Sequence, residues 1–241
     1  MFLRDVRRVG VVTLWAVAAT LLNFLAGILL ARVLGPGDRG LVAVVVSAAG
    51  LVAVFSALGT NVAVRAQLPR SDEINLRGFW AVTLLLSAGL ALPLLVVVGM
   101  ASGVLVDERL GEVGWLAAFT ACGLGAFLWF QVKEALAAVG LIARGAVINA
   151  AGSLAFLALV GLLAGKSHLT AGAAVLAYAA STVLQFGAAL VPLAPTVRGT
   201  RARGTRALLR SGPVYLGYHC GQDVVFRLDR DLLGVLSSPA R

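Results

Sequence analysis

Long apolar runs alternate with short charged clusters along this chain. The runs are Val9 to Leu34, Leu41 to Val64, Phe79 to Val106, Gly114 to Val132, Ile142 to Ala164 and Thr170 to Pro195, followed by a more polar one from Ser211 to Leu236. Each is close to the roughly 20 residues that a helix needs to cross a bilayer core about 30 Å thick. None alternates with a period of two, and Leu, Ala and Gly fill them at helix-compatible length, which argues against strands. The pattern predicts an all-α fold, a polytopic membrane bundle of about seven transmembrane helices. The first run exceeds a signal-peptide core of about 7 to 15 residues, so it predicts a retained helix. The spacing divides the chain into a six-helix bundle over residues 1–195, an Arg-rich loop over 196–210 and a polar seventh helix over 211–241.

Composition agrees: 60% of the 241 residues are hydrophobic and 13% are charged. Water cannot be the main solvent for such a chain. The net charge of +9 would suit a nucleic-acid binder, but basic patches of that kind have polar surroundings rather than uninterrupted apolar stretches. No nucleic-acid partner is expected. The cations report orientation instead, because Lys and Arg near span ends are retained on the cytoplasmic side. Arg4, Arg7, Arg8, Arg65, Arg70, Arg77, Lys133, Arg144, Arg198, Arg201, Arg203, Arg206 and Arg210 fall on one face, thirteen of the twenty Lys and Arg residues. Arg32, Arg39, Arg109, Lys166 and Arg241 fall on the other, so the N-terminus is expected in the cytoplasm. Cys122 and Cys220 lie in apolar or semi-polar runs without ligand neighbours, which predicts packing roles and neither metal nor cofactor. Gly99 with Gly103 and Gly161 with Gly165 repeat small residues at the spacing that lets membrane helices approach closely.

The signatures of soluble enzymes are missing: there is no phosphate loop, paired-His zinc motif or serine nucleophile elbow. The chain is read as a non-enzyme, with His168 as a solvated loop residue. The informative segment is the last run, where Tyr215, Tyr218, His219, Gln222, Asp223, Arg227, Asp229, Arg230 and Asp231 interrupt apolar sequence. A charge at a helix centre costs about 2.5 to 3.5 kcal/mol, while each Leu, Val or Phe returns only about 0.3 to 0.6. Such a helix should not face lipid. Counting about 1.5 Å per residue from Gly212, Asp223 falls roughly 17 Å and Arg227 roughly 23 Å into the core. His219, Asp223, Arg227 and Asp231 recur every four residues as a stripe that can pair with itself or line a water-accessible cavity. Asn23, Thr60, Asn61 and Asn149, with Tyr178, Ser181, Thr182 and Gln185 at three-to-four spacing, could line the same cavity. Each Ser or Thr alone can satisfy a carbonyl of its own helix.

The stretch Ala31, Arg32, Val33, Leu34, Gly35, Pro36, Gly37, Asp38, Arg39, Gly40 closes the first run with a short LGP turn. It resembles the oligosaccharide flippases of the polysaccharide biosynthesis branch of the multidrug, oligosaccharidyl-lipid and polysaccharide exporters. A second patch, Phe226 to Gly234 followed by Ser238 and Pro239, is similar to that branch's seventh helix. The resemblance implies a bacterial plasma-membrane translocase that moves polyprenyl-pyrophosphate-linked oligosaccharide from the inner to the outer leaflet. It implies that Arg227 and Asp229 occupy seventh-helix positions beside the cargo, and that Asn23 and Arg32 lie toward the cavity or its outer mouth. It also implies two bundles, so the chain is expected to be the N-terminal half, pairing with a second half or with itself. Lipid-linked oligosaccharide and membrane lipids are the expected partners. Two other readings stand beside it: a cation-coupled multidrug exporter using Asp223, and a non-transporting scaffold of glycan assembly.

Overall fold

The computed structural model of the chain describes residues 2–70, 74–105, 108–197 and 202–217. The elements are α1 (Phe2–Ser56), α2 (Thr60–Gln67), α3 (Leu76–Leu86), a π-helical turn (Ser87–Ala91), α4 (Leu92–Leu105), a 3₁₀ turn (Glu108–Gly111), α5 (Val113–Ala138), α6 (Ile142–Gly165) and α7 (Ala171–Val197). A further helix, α8, covers residues 205–217. Strands are absent among the described residues. Five helical stretches are long and apolar enough to cross a membrane: Val9–Ser56, Leu76–Leu105, Val113–Ala138, Ile142–Gly165 and Ala171–Pro195. Their outward faces carry large apolar side chains, such as Leu154 (54% exposed), Leu162 (63%), Val183 (54%) and Val191 (75%). Water would penalise that surface and hydrocarbon would not. The architecture is a multi-pass helical membrane bundle.

The first of these stretches is 48 residues long, about 70 Å if straight, more than twice the hydrocarbon core. It is not straight. Gly35 sits at φ 73° and ψ 173°, followed by Pro36, so the backbone leaves helical geometry where proline would also withhold a donor. The two arms fold back on each other: Asn23, Gly27 and Leu30 of the first share one void with Val42 and Val46 of the second. Near the opposite end, Val12 and Arg65 line another void together. The LGP turn is thus a hairpin corner, and Asp38 just beyond it accepts a hydrogen bond from Arg109 Nη1 at 3.2 Å. Arg65 Nη1 meets Glu134 Oε2 at 3.3 Å, pinning α2 to α5 at the other end.

The second run does not continue unbroken to Val64. It stops at Ser56 and restarts at Thr60, with Leu58 at φ 46° and Gly59 at φ 69°. The reason is α8: a Cβ on Gly59 would run into the Gly212 carbonyl and the Leu216 amide, and a Cβ on Gly212 into the Leu58 carbonyl. The third run bends through its π turn directly before Pro93, whose missing N–H calls for such a local adjustment. Asn75 caps α3, its Oδ1 accepting from Gly78 N at 2.8 Å and from Arg203 N at 3.1 Å. Helix therefore resumes at 205, inside the stretch expected to be loop, because this cap and Gly59 hold residues 203–212 against α2 and α3. Of the small-residue pairs, Gly99 and Gly103 face Leu116 and the Gly111 backbone at contact distance, whereas nothing lies within 4 Å of a Cβ on Gly161 or Gly165.

Buried apolar residues form two clusters stacked along the bundle. One holds Leu30, Leu41, Val45, Phe119, Cys122, Phe156 and Val160, so Cys122 is a packing residue. The other holds Ala57, Val64, Phe79, Phe127, Leu136, Leu193 and Leu208. Replacing Gly59 by Ala is expected to cost about 1–3 kcal/mol, from the positive φ and the α8 backbone it meets. Gly161→Ala, with open space and helical geometry, should be neutral or slightly stabilising. Thermal unfolding in detergent compares the two, and equal melting shifts would contradict the docking of α8 at Gly59.

Candidate functional site

Between the two apolar clusters lies a polar level. On α7, Ala177 and Ala179 belong to one cluster and Ala189 and Leu193 to the other. Ser181, Thr182 and Gln185 fall between them. These groups line a cavity of about 250 Å³ together with Asn23 of α1, Trp129, Phe130 and Lys133 of α5, and Asn149, Ser153 and Phe156 of α6. Tyr178 closes one end, its ring edge-on to Phe156 with centroids 5.6 Å apart.

A short chain of hydrogen bonds ties three helices around this cavity. Asn23 Nδ2 donates to Ser153 Oγ at 3.1 Å, and Ser153 Oγ donates to the Asn149 carbonyl one turn back, also at 3.1 Å. Gln185 Nε2 donates to that same carbonyl at 3.3 Å. Ser181 and Thr182 satisfy carbonyls of their own helix, Tyr178 O at 2.7 Å and Ala179 O at 2.8 Å, so their hydroxyls contribute acceptors to the cavity more than donors. Two glycines make room. A Cβ on Gly152 would overlap the Gln185 amide, and one on Gly125 would overlap Thr182 Oγ1. Only a residue without a side chain lets α6 and α5 come this close to α7.

Two further spaces extend the cavity toward both ends of the bundle. One of about 170 Å³ shares Lys133 and Asn149 with it and reaches Val12, Arg65 and Glu134. The other, of about 280 Å³, shares Asn23, Phe156 and Tyr178 and reaches Arg39. The order of lining residues along α6 is Ile142 to Asn149, then Asn149 to Phe156, then Phe156, so the three spaces run end to end. The middle is polar, with Lys133 at its boundary toward Arg65 and Glu134, and Arg39 stands toward the other end.

The structure thus brings Asn23, Asn149, Tyr178, Ser181, Thr182 and Gln185 together. It places Arg32 elsewhere: nine residues past Asn23 on one helical arm is half a turn around, and Arg32 is exposed. Asn61 also stands apart. It is buried on α2 next to Thr60, whose Oγ1 accepts from Gln131 Nε2 at 3.2 Å, and its own Oδ1 has no hydrogen-bond partner. His219, Gln222, Asp223, Arg227, Asp229 and Arg230 lie outside the described residues. His168 is exposed in the turn before α7. Among the described residues no group of three His, Cys, Asp or Glu side chains could hold a metal.

Sequence reasoning missed Ser153, Gly152, Gly125, the two aromatics of α5 and the place of Lys133. Ser153 follows Asn149 by one turn and could have been found that way. Lys133 reads as a loop cation because the apolar run ends at Val132, yet α5 continues to Ala138, which puts its stem on the cavity wall. No family model matches the chain, and no curated protein or solved structure is significantly similar to it.

If the cavity is wet, single cysteines at Asn149 or Ser181, in a chain with Cys122 and Cys220 replaced by Ser, should react with a small charged methanethiosulfonate reagent in membranes. Cysteine at the exposed apolar position Leu154 should react at least about tenfold more slowly, because a thiolate does not form in hydrocarbon. Equal labelling at all three positions would argue against an internal aqueous space.

Proposed function

We propose that the protein is a membrane translocase for lipid-linked oligosaccharide, carrying sugars bound to a polyprenyl diphosphate from the cytoplasmic to the outer leaflet of a bacterial plasma membrane. The supporting observation is the polar cavity between two apolar clusters, with Lys133 and Arg65 toward one end and Arg39 toward the other. Amides of Asn23, Asn149 and Gln185 both donate and accept, as a polyhydroxylated cargo requires. The rings of Trp129, Phe130, Phe156 and Tyr178 offer apolar faces beside them, the usual combination in ligand sites. Arg65 and Lys133 at one end and Arg39 at the other suit phosphate oxygens, Arg as a planar fork and Lys as a point charge.

On this reading the arms of α1, the α3–α4 unit, α5, α6 and α7 make six crossings, and α8 leads into a seventh. The face that holds the N-terminus carries thirteen of the twenty Lys and Arg residues, which supports a cytoplasmic N-terminus. A cavity of about 250 Å³ is smaller than the roughly 300–1,000 Å³ of ordinary ligand sites, so passage of an oligosaccharide requires the surrounding helices to separate. Alternating access achieves that by one bundle moving against another, which brings in a second half or another copy of this chain. The resemblance of the LGP turn and of residues 226–239 to oligosaccharide flippases points the same way.

Proteoliposomes loaded with a fluorescent polyprenyl-diphosphate oligosaccharide test the proposal through the rate at which the sugar becomes accessible to an external glycosidase. The active unit is expected to accelerate flipping over protein-free vesicles. Asn23→Leu with Gln185→Leu should slow it at least about tenfold, the equivalent of one or two lost hydrogen bonds to cargo. A rate equal to that of empty vesicles in every assembly, or one unaffected by both substitutions, overturns the reading.

A further inference from the structure

We propose that the groove between the first turns of α6, where Arg144 stands, and the last turns of α7 binds a single anionic phospholipid whose headgroup carries hydroxyls, a phosphatidylglycerol-type lipid. The groove is apolar, about 760 Å³, and open at the surface of the bundle. Val147 and Ile148 of α6 and Ala188 and Val191 of α7 wall it, with Pro192 and Pro195 beside them. Arg144, in the first turn of α6, lies at its edge and is exposed.

Three features select the occupant. The stretch from Ala188 to Pro195 is about 10 Å long and ends near the helix terminus, the depth at which phosphate, glycerol and the first chain carbons of a lipid lie. Arg144 offers a guanidinium fork to a phosphate there, and it makes no ion pair among the described residues. The prolines supply the third. Pro192 and Pro195 lack the amides that would have bonded to the carbonyls of Ala188 and Val191, and both of those residues line the groove. A carbonyl that loses its helical amide partner inside a membrane needs another donor. The hydroxyls of a glycerol headgroup provide one, and a phosphatidylcholine headgroup does not. The lipid's net negative charge suits Arg144, the cation at the edge of the groove.

The site can be tested with the full chain in phosphatidylcholine nanodiscs containing a trace of phosphatidylglycerol that carries a diazirine near the top of one acyl chain. After illumination, labelled peptides are mapped by mass spectrometry. Labelling is expected to concentrate in residues 143–148 and 188–195, about fivefold above that by a matched phosphatidylcholine probe. Arg144→Gln should bring the two probes to equal labelling there, and Val147→Trp, which fills the groove, should remove labelling by both. Labels spread evenly over the apolar faces with either probe would mean annular lipid only and would overturn the proposal. So would an unchanged preference in the Arg144→Gln protein.

Discussion

A polar group held inside a membrane bundle has no water to fall back on, so it must find its partner in the protein. The seam between α6 and α7 is where this constraint is met. Gln185 reaches across to the Asn149 carbonyl, Ser153 reaches the same oxygen from within α6, and Asn23 is tied in through Ser153. That arrangement is possible only because Gly152 leaves room for the Gln185 side chain. Change the separation of these two helices and the buried Gln185 amide loses its partner on α6, a penalty of about 1–3 kcal/mol. The two apolar clusters above and below can tolerate sliding more readily, since Leu against Val has no preferred direction.

The same seam has two sides with different chemistry. Toward the interior it borders the amide-lined cavity, and toward lipid it opens into the groove beside Arg144. Ile148 and Asn149 are neighbours in sequence and stand on either side of the division. A helix places successive residues about 100° apart, so one turn of α6 can serve hydrocarbon and polar space at once. A molecule with an apolar tail and a hydroxyl-rich head meets matching surfaces on the two sides of one helix pair.

Breaks in the helices do as much as the helices themselves. Gly35 turns one long apolar stretch into two packed arms and brings Asn23 within reach of α6. The interruption at Leu58 and Gly59 makes the socket for α8. The prolines of α7 withhold two amide donors from its last turns. In each case a backbone that lacks a Cβ or an amide hydrogen allows what an uninterrupted helix forbids.

Much of this was legible in the sequence. Run length and the near absence of charge within runs are enough to give helices that cross a bilayer, because hydrocarbon accepts little else. The three-to-four spacing of Tyr178, Ser181, Thr182 and Gln185 put them on one face, and the structure has that face lining the cavity. Polarity set 1–195 apart from 211–241 in the sequence but did not anticipate that helix resumes at 205, since the docking of α8 depends on Asn75 and Gly59, more than 100 residues earlier. Nor could the apolar run reveal that Lys133 belongs to a helix rather than a loop, and only the pairing of the first arm of α1 with α6 shows that it is Asn23's side, and not Arg32's, that meets the cavity. Those facts depend on which helices meet and how closely. Side-chain polarity determines what must be shielded from lipid; only the packing of distant glycines against bulky partners decides what shields it.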